Sequence, residues 1–174
     1  MLFRSISHSV AETAALGEQW GRAAESGLVI GLSGDLGAGK TQFVKGLARG
    51  LGIAERVHSP TFALVNIYSG GRLMLFHLDL YRLDTRQQIV AAGLEEYLNP
   101  AGVTVIEWAE RWFPLVQSLE PKVQSRERPH TYHELPIADS QSPLNGFAQP
   151  FRRLQMEVLG ETERRITYDD HSGA

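Results

Sequence analysis

An α/β fold is predicted by three neighbouring features of one short stretch. Leu28-Val29-Ile30-Gly31-Leu32 is an apolar run of the length of a buried strand. Phe43, Val44, Leu47, Ala48 and Leu51 then recur at helical spacing. Between them, Gly34-Asp35-Leu36-Gly37-Ala38-Gly39-Lys40-Thr41 follows the pattern Gly, four residues, Gly-Lys-Thr. Strand, glycine loop and helix stand in the order that a phosphate-binding loop (P-loop) requires. The glycines let consecutive backbone N–H groups turn inward around a polyphosphate, and the helix start adds partial positive charge. Asp35, Leu36, Gly37, Ala38, Gly39, Lys40, Thr41 and Gln42 are therefore expected to cradle a nucleoside triphosphate. Lys40 would reach the β- and γ-phosphates, and Thr41 would put its hydroxyl on a magnesium ion.

Composition bounds this reading without narrowing it. The chain has 174 residues, 43% hydrophobic and 21% charged, which suits one domain with one substantial core. A net charge of -3 and a pI near 6.1 give no global attraction to nucleic acid or to an anionic membrane. If the protein serves RNA, a partner is expected to hold the RNA. With no cysteine, disulfides and cysteine-based zinc sites are excluded. No apolar run approaches membrane-spanning length, and the N-terminus lacks a long apolar core behind basic residues, so the expected location is cytoplasmic.

In chain order, Leu2 to Ile6 reads as a short edge strand. Ser9 and Glu12 have the spacing of a helix-capping box, and Leu16, Trp20 and Ala24 continue as one apolar stripe, with Trp20 as core. Gly27 closes this helix, and Gly50 and Gly52 end the one after the glycine loop. Val57-His58-Ser59-Pro60-Thr61-Phe62 is not a helix interior, because Pro60 lacks an N–H and holds its predecessor extended. Thr61 is either part of an ordinary turn or a switch threonine near the γ-phosphate.

Phe62 to Tyr68 and Arg72 to Leu80 read as a hairpin around Ser69-Gly70-Gly71, whose glycines would supply positive φ. Alternation sends His77, Asp79 and Tyr81 to one face and Leu78 and Leu80 to the other. Asp79, an acid at a strand end, is placed to position magnesium or an attacking water. His77 reads as a strand polar residue without a visible partner, and Arg82 as a solvated arginine or an aid to charge stabilisation.

Thr85 and Gln88 form a second capping box, with a helix expected to run to Leu98 and to stop at Asn99-Pro100-Ala101-Gly102. Val103-Thr104-Val105-Ile106 is a buried-strand pattern ending in Glu107. Glu107 is either a magnesium-holding acid or a surface charge at the start of a helix over Ala109 to Phe113. Five of the eight prolines fall between Gln117 and Pro150, where the apolar pattern fades, so an irregular insertion is expected at about 117–150. Within it, the spacing of His130 and His133 reads as chance rather than as a metal pair. Arg153 to Val158 and Arg164 to Tyr168 read as a terminal strand pair, at about 151–168.

Four motifs in this order carry a family resemblance: the glycine loop 34–41, Ser59-Pro60-Thr61-Phe62, His77-Leu78-Asp79-Leu80-Tyr81-Arg82, and Ile106-Glu107-Trp108-Ala109-Glu110-Arg111. Over roughly Ser9 to Trp112 the chain resembles TsaE, the bacterial ATPase of tRNA threonylcarbamoyladenosine biosynthesis. The insertion is longer than the compact family pattern. The resemblance implies a P-loop NTPase fold with a mixed parallel and antiparallel sheet flanked by helices. It also implies ATP as substrate, Mg2+ as cofactor, and TsaD and TsaB as partners, with tRNA reached only through them. By similarity Lys40 and Thr41 carry phosphate and magnesium, Thr61 is the switch threonine, and Asp79 and Glu107 are the acids needed for hydrolysis. Which of the two acids holds metal and which positions water stays open in the sequence, with Glu107 favoured for the metal. Trp108 would lie near the adenine or, alternatively, be a core aromatic. Two rivals share the glycine loop: a small-molecule kinase and a GTP switch. The first lacks a clear acceptor pocket unless the insertion forms one, and the second lacks the Asn-Lys-x-Asp pattern that reads guanine. A nucleotide-binding scaffold without turnover is the third alternative.

Overall fold

The computed structural model describes residues 2–113 and 151–171. Seven strands form one sheet: β1 (Leu2–Ser7), β2 (Leu28–Ser33), β3 (Val65–Tyr68), β4 (Met74–Asp79), β5 (Gly102–Glu107), β6 (Phe151–Val158) and β7 (Arg164–His171). Three α-helices accompany them: α1 (Val10–Ala23), α2 (Lys40–Gly50) and α3 (Arg86–Ala91). The strand order is β1-β7-β6-β2-β5-β4-β3. β6, β2, β5 and β4 are mutually parallel, while β3, β7 and β1 join antiparallel at the two sides. The sheet is thus mixed, as the resemblance implies. The insertion expected at 117–150, with His130 and His133, lies outside the described residues.

All six residues of β2 and of β5 are buried, which a strand covered on both faces requires. Period-two alternation splits them between two apolar clusters. Ile30, Leu32, Val103 and Val105 pack with Trp20, Phe43 and Leu47 on the side of α1 and α2. Val29 and Ile106 pack with Leu78, Ile89, Trp112 and Phe151 on the other side. His77, Asp79 and Glu107 alternate onto the α2 side of β4 and β5, in register Asp79 opposite Glu107. This places both carboxylates under the start of α2.

α1 and α2 approach until their backbones touch. A Cβ at Gly17 would overlap the Phe43 carbonyl oxygen, and one at Gly21 that of Leu47. Reciprocally, one at Gly46 would strike the Ala14 carbonyl and one at Gly50 that of Glu18. Gly46→Ala is therefore expected to lower stability by about 1–3 kcal/mol, since the obstruction is backbone and cannot rotate away. An unchanged urea midpoint would remove this account of the helix pair.

Several local expectations are corrected. The helix expected to reach Leu98 stops at Ala91, because Gly93 takes φ +72 and lets Leu94 turn inward to burial before a 3-10 segment over Leu94–Leu98. The strand expected from Phe62 begins at Val65. Phe62 to Leu64 instead turn, with the Leu64 N–H donating to the Pro60 carbonyl at 2.7 Å and Leu64 at φ +66. In the hairpin only Gly70 has a positive φ, at +87. Gly71 is needed for close approach, as its Cβ would overlap the Leu51 carbonyl oxygen. After β5 the expected helix is one 3-10 turn, Ala109–Arg111.

Candidate nucleotide site

The loop between β2 and α2 is shaped by its glycines for different reasons. Gly34, at φ +137, lies where a Cβ would overlap the Met156 carbonyl, so this end of the loop leans on β6. Gly37 and Gly39 adopt φ +78 and +102, and a Cβ at Gly37 would meet nothing within 4 Å. The loop's tip is therefore open to a ligand, whereas its root is packed. Gly39 caps α2, and the Phe43 N–H closes the first turn on its carbonyl at 3.0 Å. The N–H groups at a helix start have no intrahelical acceptor, so this end attracts an anion.

Lys40 is buried, and its Nζ donates to the carbonyls of Gly34 at 2.6 Å and Asp35 at 2.9 Å. The same ammonium sits 3.7 Å from the centre of the Trp108 ring, a cation–π distance. Burial lowers the Lys40 pKa below the usual lysine value, against the opposing pull of Glu107, Glu110, Asp79 and Asp35. Trp108 itself holds φ +61, a left-handed conformation uncommon for a bulky residue. The residue packs partly on the second core cluster and also borders the cleft.

Two carboxylates meet beneath the loop. The Thr41 hydroxyl donates to Glu107, 2.8 Å from Oε1 and 3.2 Å from Oε2. Glu107 is only 3% exposed, which overturns its alternative as a surface helix charge. His77, fully buried, places Nε2 2.9 Å from Glu107 Oε1. Asp79 accepts hydroxyls from Ser59 at 2.7 Å and Thr61 at 2.6 Å on Oδ2, and the Tyr81 N–H at 2.9 Å on Oδ1. Thr61 is thus tied by its side chain to the end of β4. Arg82 is exposed, stacks over Phe62 at 4.1 Å from the ring centre, and does not border the cleft.

These residues line a cleft of about 640 Å³, within the range of small-ligand sites. Leu36 to Gln42, Thr61, Asp79, Glu107 and Trp108 all border it. Asp35 is not on its wall, and its backbone carbonyl instead holds Lys40. Sequence reasoning missed the rest of the wall. Ser9, Val10 and Thr13 come from the start of α1, and Glu161, Thr162 and Arg164 from the β6–β7 turn. Arg164 even donates to the Gly37 carbonyl at 3.2 Å. Ser9 reads in the sequence only as a helix cap, and no local motif marks any of these positions as facing a ligand, because the tertiary fold brings them to the loop.

The donor set can be tested against a magnesium ion. Hydroxyl and carboxylate oxygens at Thr41 and Glu107 are the hard ligands magnesium takes. Among the described residues no group of three or more His, Cys, Asp or Glu could hold a metal. One hydroxyl and one carboxylate beside the open glycine loop fit an ion that would take phosphate oxygens and water for the rest of its shell, as magnesium commonly does.

A glycine loop at the carboxyl end of a central parallel strand, leading into a helix and facing an acid on the adjacent strand, defines a P-loop NTPase fold. Within that class, the chain belongs to the TsaE family, whose sequence model, described as "Threonylcarbamoyl adenosine biosynthesis protein TsaE", matches residues 7–134. The chain is 50% identical over 108 residues to the tRNA threonylcarbamoyladenosine biosynthesis protein TsaE of Treponema pallidum, covering 62% of this chain and 79% of that protein. Its counterpart of the same name in Bacillus subtilis is 46% identical over 98 residues, 56% of this chain and 61% of that protein. That of Aquifex aeolicus is 37% identical over 125 residues, 71% of this chain and 89% of that protein. The crystal structure of Bacillus subtilis YdiB superposes with a TM-score of 0.65 at 28% identity, covering 97% of this chain and 84% of that one.

Proposed function

We propose that this protein hydrolyses ATP, with magnesium, to support the threonylcarbamoyladenosine modification of tRNA adenosine 37 by TsaD together with TsaB. The observation that carries the reading is the contact between Thr41 and Glu107 beside buried Lys40, directly under an open glycine loop. In this reading the loop N–H groups and Lys40 bind and orient the β- and γ-phosphates. Thr41 and Glu107 would hold a magnesium ion, whose charge would offset that of the phosphates. Asp79 orients the attacking water and accepts its proton as the new oxygen–phosphorus bond forms. The bond to the bridging oxygen then breaks, releasing ADP and inorganic phosphate. Thr61, hydrogen-bonded to Asp79, reports the γ-phosphate to the 57–62 loop, and Trp108 flanks the base.

The net charge of -3 supports indirect contact with tRNA through protein partners. Among the described residues no helix is long and apolar enough to cross a membrane. We place the protein in the cytoplasm, beside its partners. The test is phosphate release from ATP by the protein alone and with the TsaB and TsaD pair, using Lys40→Ala as blank. Marked stimulation by the pair is the expected result. Unstimulated release, or phosphate appearing on an added metabolite instead of in solution, would overturn the reading.

A further inference from the structure

We infer that His77 is the positioning residue of this site: it fixes the Glu107 carboxylate so that one chosen oxygen faces the metal. The inference rests on the magnesium-dependent reading above. Glu107 Oε1 has two close neighbours, Thr41 Oγ1 at 2.8 Å and His77 Nε2 at 2.9 Å. Oε2 has only the longer Thr41 contact, at 3.2 Å. A carboxylate oxygen offers lone pairs and no proton, so the imidazole must donate through Nε2. His77 Nδ1 is buried and has no hydrogen-bond partner, which leaves Nε2–H as the one tautomer that satisfies the contact.

The strand geometry makes the contact rigid. His77 and Asp79 project to the same face of β4, and Asp79 lies opposite Glu107 in the parallel register. The imidazole therefore reaches one step along the neighbouring strand, and being fully buried it has nowhere else to turn. Oε1 is saturated by His77 and Thr41, so Oε2 is the oxygen with capacity for a cation. An unsupported glutamate at this position would sample other rotamers, and each would cost affinity for the metal. Groups that orient a metal-binding side chain in this way are worth about 10–100-fold in metal affinity or activity.

The test compares His77→Leu, which removes the donor, with His77→Gln, which can return an amide N–H at similar reach. Calorimetry measures the affinity for β,γ-imido-ATP with magnesium and again with chelator, and thermal melting confirms that each variant is folded. Wild type and His77→Gln are expected to gain affinity on adding magnesium by a similar factor. His77→Leu is expected to keep its metal-free affinity within about twofold and to lose at least about tenfold of the magnesium-dependent gain. If His77→Leu does not fold, His77→Asn, too short to reach Glu107, takes its place with the same expectation. A full magnesium gain in the variant that lacks the donor overturns the role of His77 alone. Equal losses with and without magnesium, or failure of His77→Gln to restore the gain, assign His77 to packing and likewise overturn it. A wild type with no magnesium gain overturns the metal reading as well.

Discussion

Lys40→Ala is expected to reduce phosphate release from ATP by at least about 100-fold, the scale of losing one preorganised charge-stabilising donor. Lys40 is the buried cation at the head of α2, among Glu107, Glu110, Asp79 and Asp35. Its hydrogen bonds to Gly34 and Asp35 hold it against the loop that would carry the phosphates. Calorimetry with β,γ-imido-ATP should show the same substitution weakening binding as well as turnover. A pH dependence follows from the lowered pKa. Binding needs the ammonium, so affinity falls as pH rises through the folded pKa, which lies below the ordinary lysine value of 10.5. For stability the sign is opposite: the unfolded chain holds this proton more tightly, so the group's contribution to stability improves with rising pH across the same window. Nucleotide affinity that is flat up to pH 10.5, or a Lys40→Ala variant that binds normally, would contradict the binding statement, and a wild type whose stability does not rise relative to Lys40→Ala over the same window would contradict the other.

What the sequence revealed and what it hid divide along one physical line. The glycine loop was legible because eight consecutive residues and their strand and helix flanks carry the whole constraint locally. Asp79 and Glu107 were legible as acids at strand ends, but which groups touch them was not. The pairing of His77 with Glu107 depends on β4 lying parallel beside β5, a fact of strand order rather than spacing. Arg164 reaches Gly37 across more than a hundred residues for the same reason. The antiparallel pairing of β3 with β4 was legible from the glycine turn between them, and β6 and β7 as a terminal pair. How these join the parallel strands in one mixed sheet came from the family resemblance, since alternation gives strands but not their neighbours. The helix beyond Thr85 was overextended because its apolar positions continue past Ala91, while one glycine at φ +72 decides that the chain turns. In the sequence Gly50 reads only as a helix end, and Gly17, Gly21 and Gly46 carry no signal of their own. Only the crossing of α1 and α2 shows that they are what lets the two backbones meet.

Glu107→Gln is expected to lower turnover by about 100-fold while metal-free nucleotide affinity stays within about threefold. The amide keeps the volume and one acceptor for Thr41 and His77, so the fold should tolerate it, but it removes the charge that magnesium requires. Glu107→Ala goes further. It strands the Thr41 hydroxyl and the His77 Nε2–H in a buried site, a cost of about 1–3 kcal/mol for each unsatisfied group. The alanine variant should therefore melt lower than the glutamine variant, although both are slow. Glu107 is also the largest of the pulls that raise the Lys40 pKa against burial. Removing its charge moves that pKa further down, so the alkaline loss of nucleotide affinity should begin at lower pH in Glu107→Gln than in wild type. Phosphate release, calorimetry with and without magnesium, and a pH series on the two variants separate these effects. Equal losses of metal-free binding and turnover would assign Glu107 to building the nucleotide pocket and not to the metal. An unmoved alkaline limb would mean that Lys40 does not sense Glu107, against the close packing of the two beneath one loop.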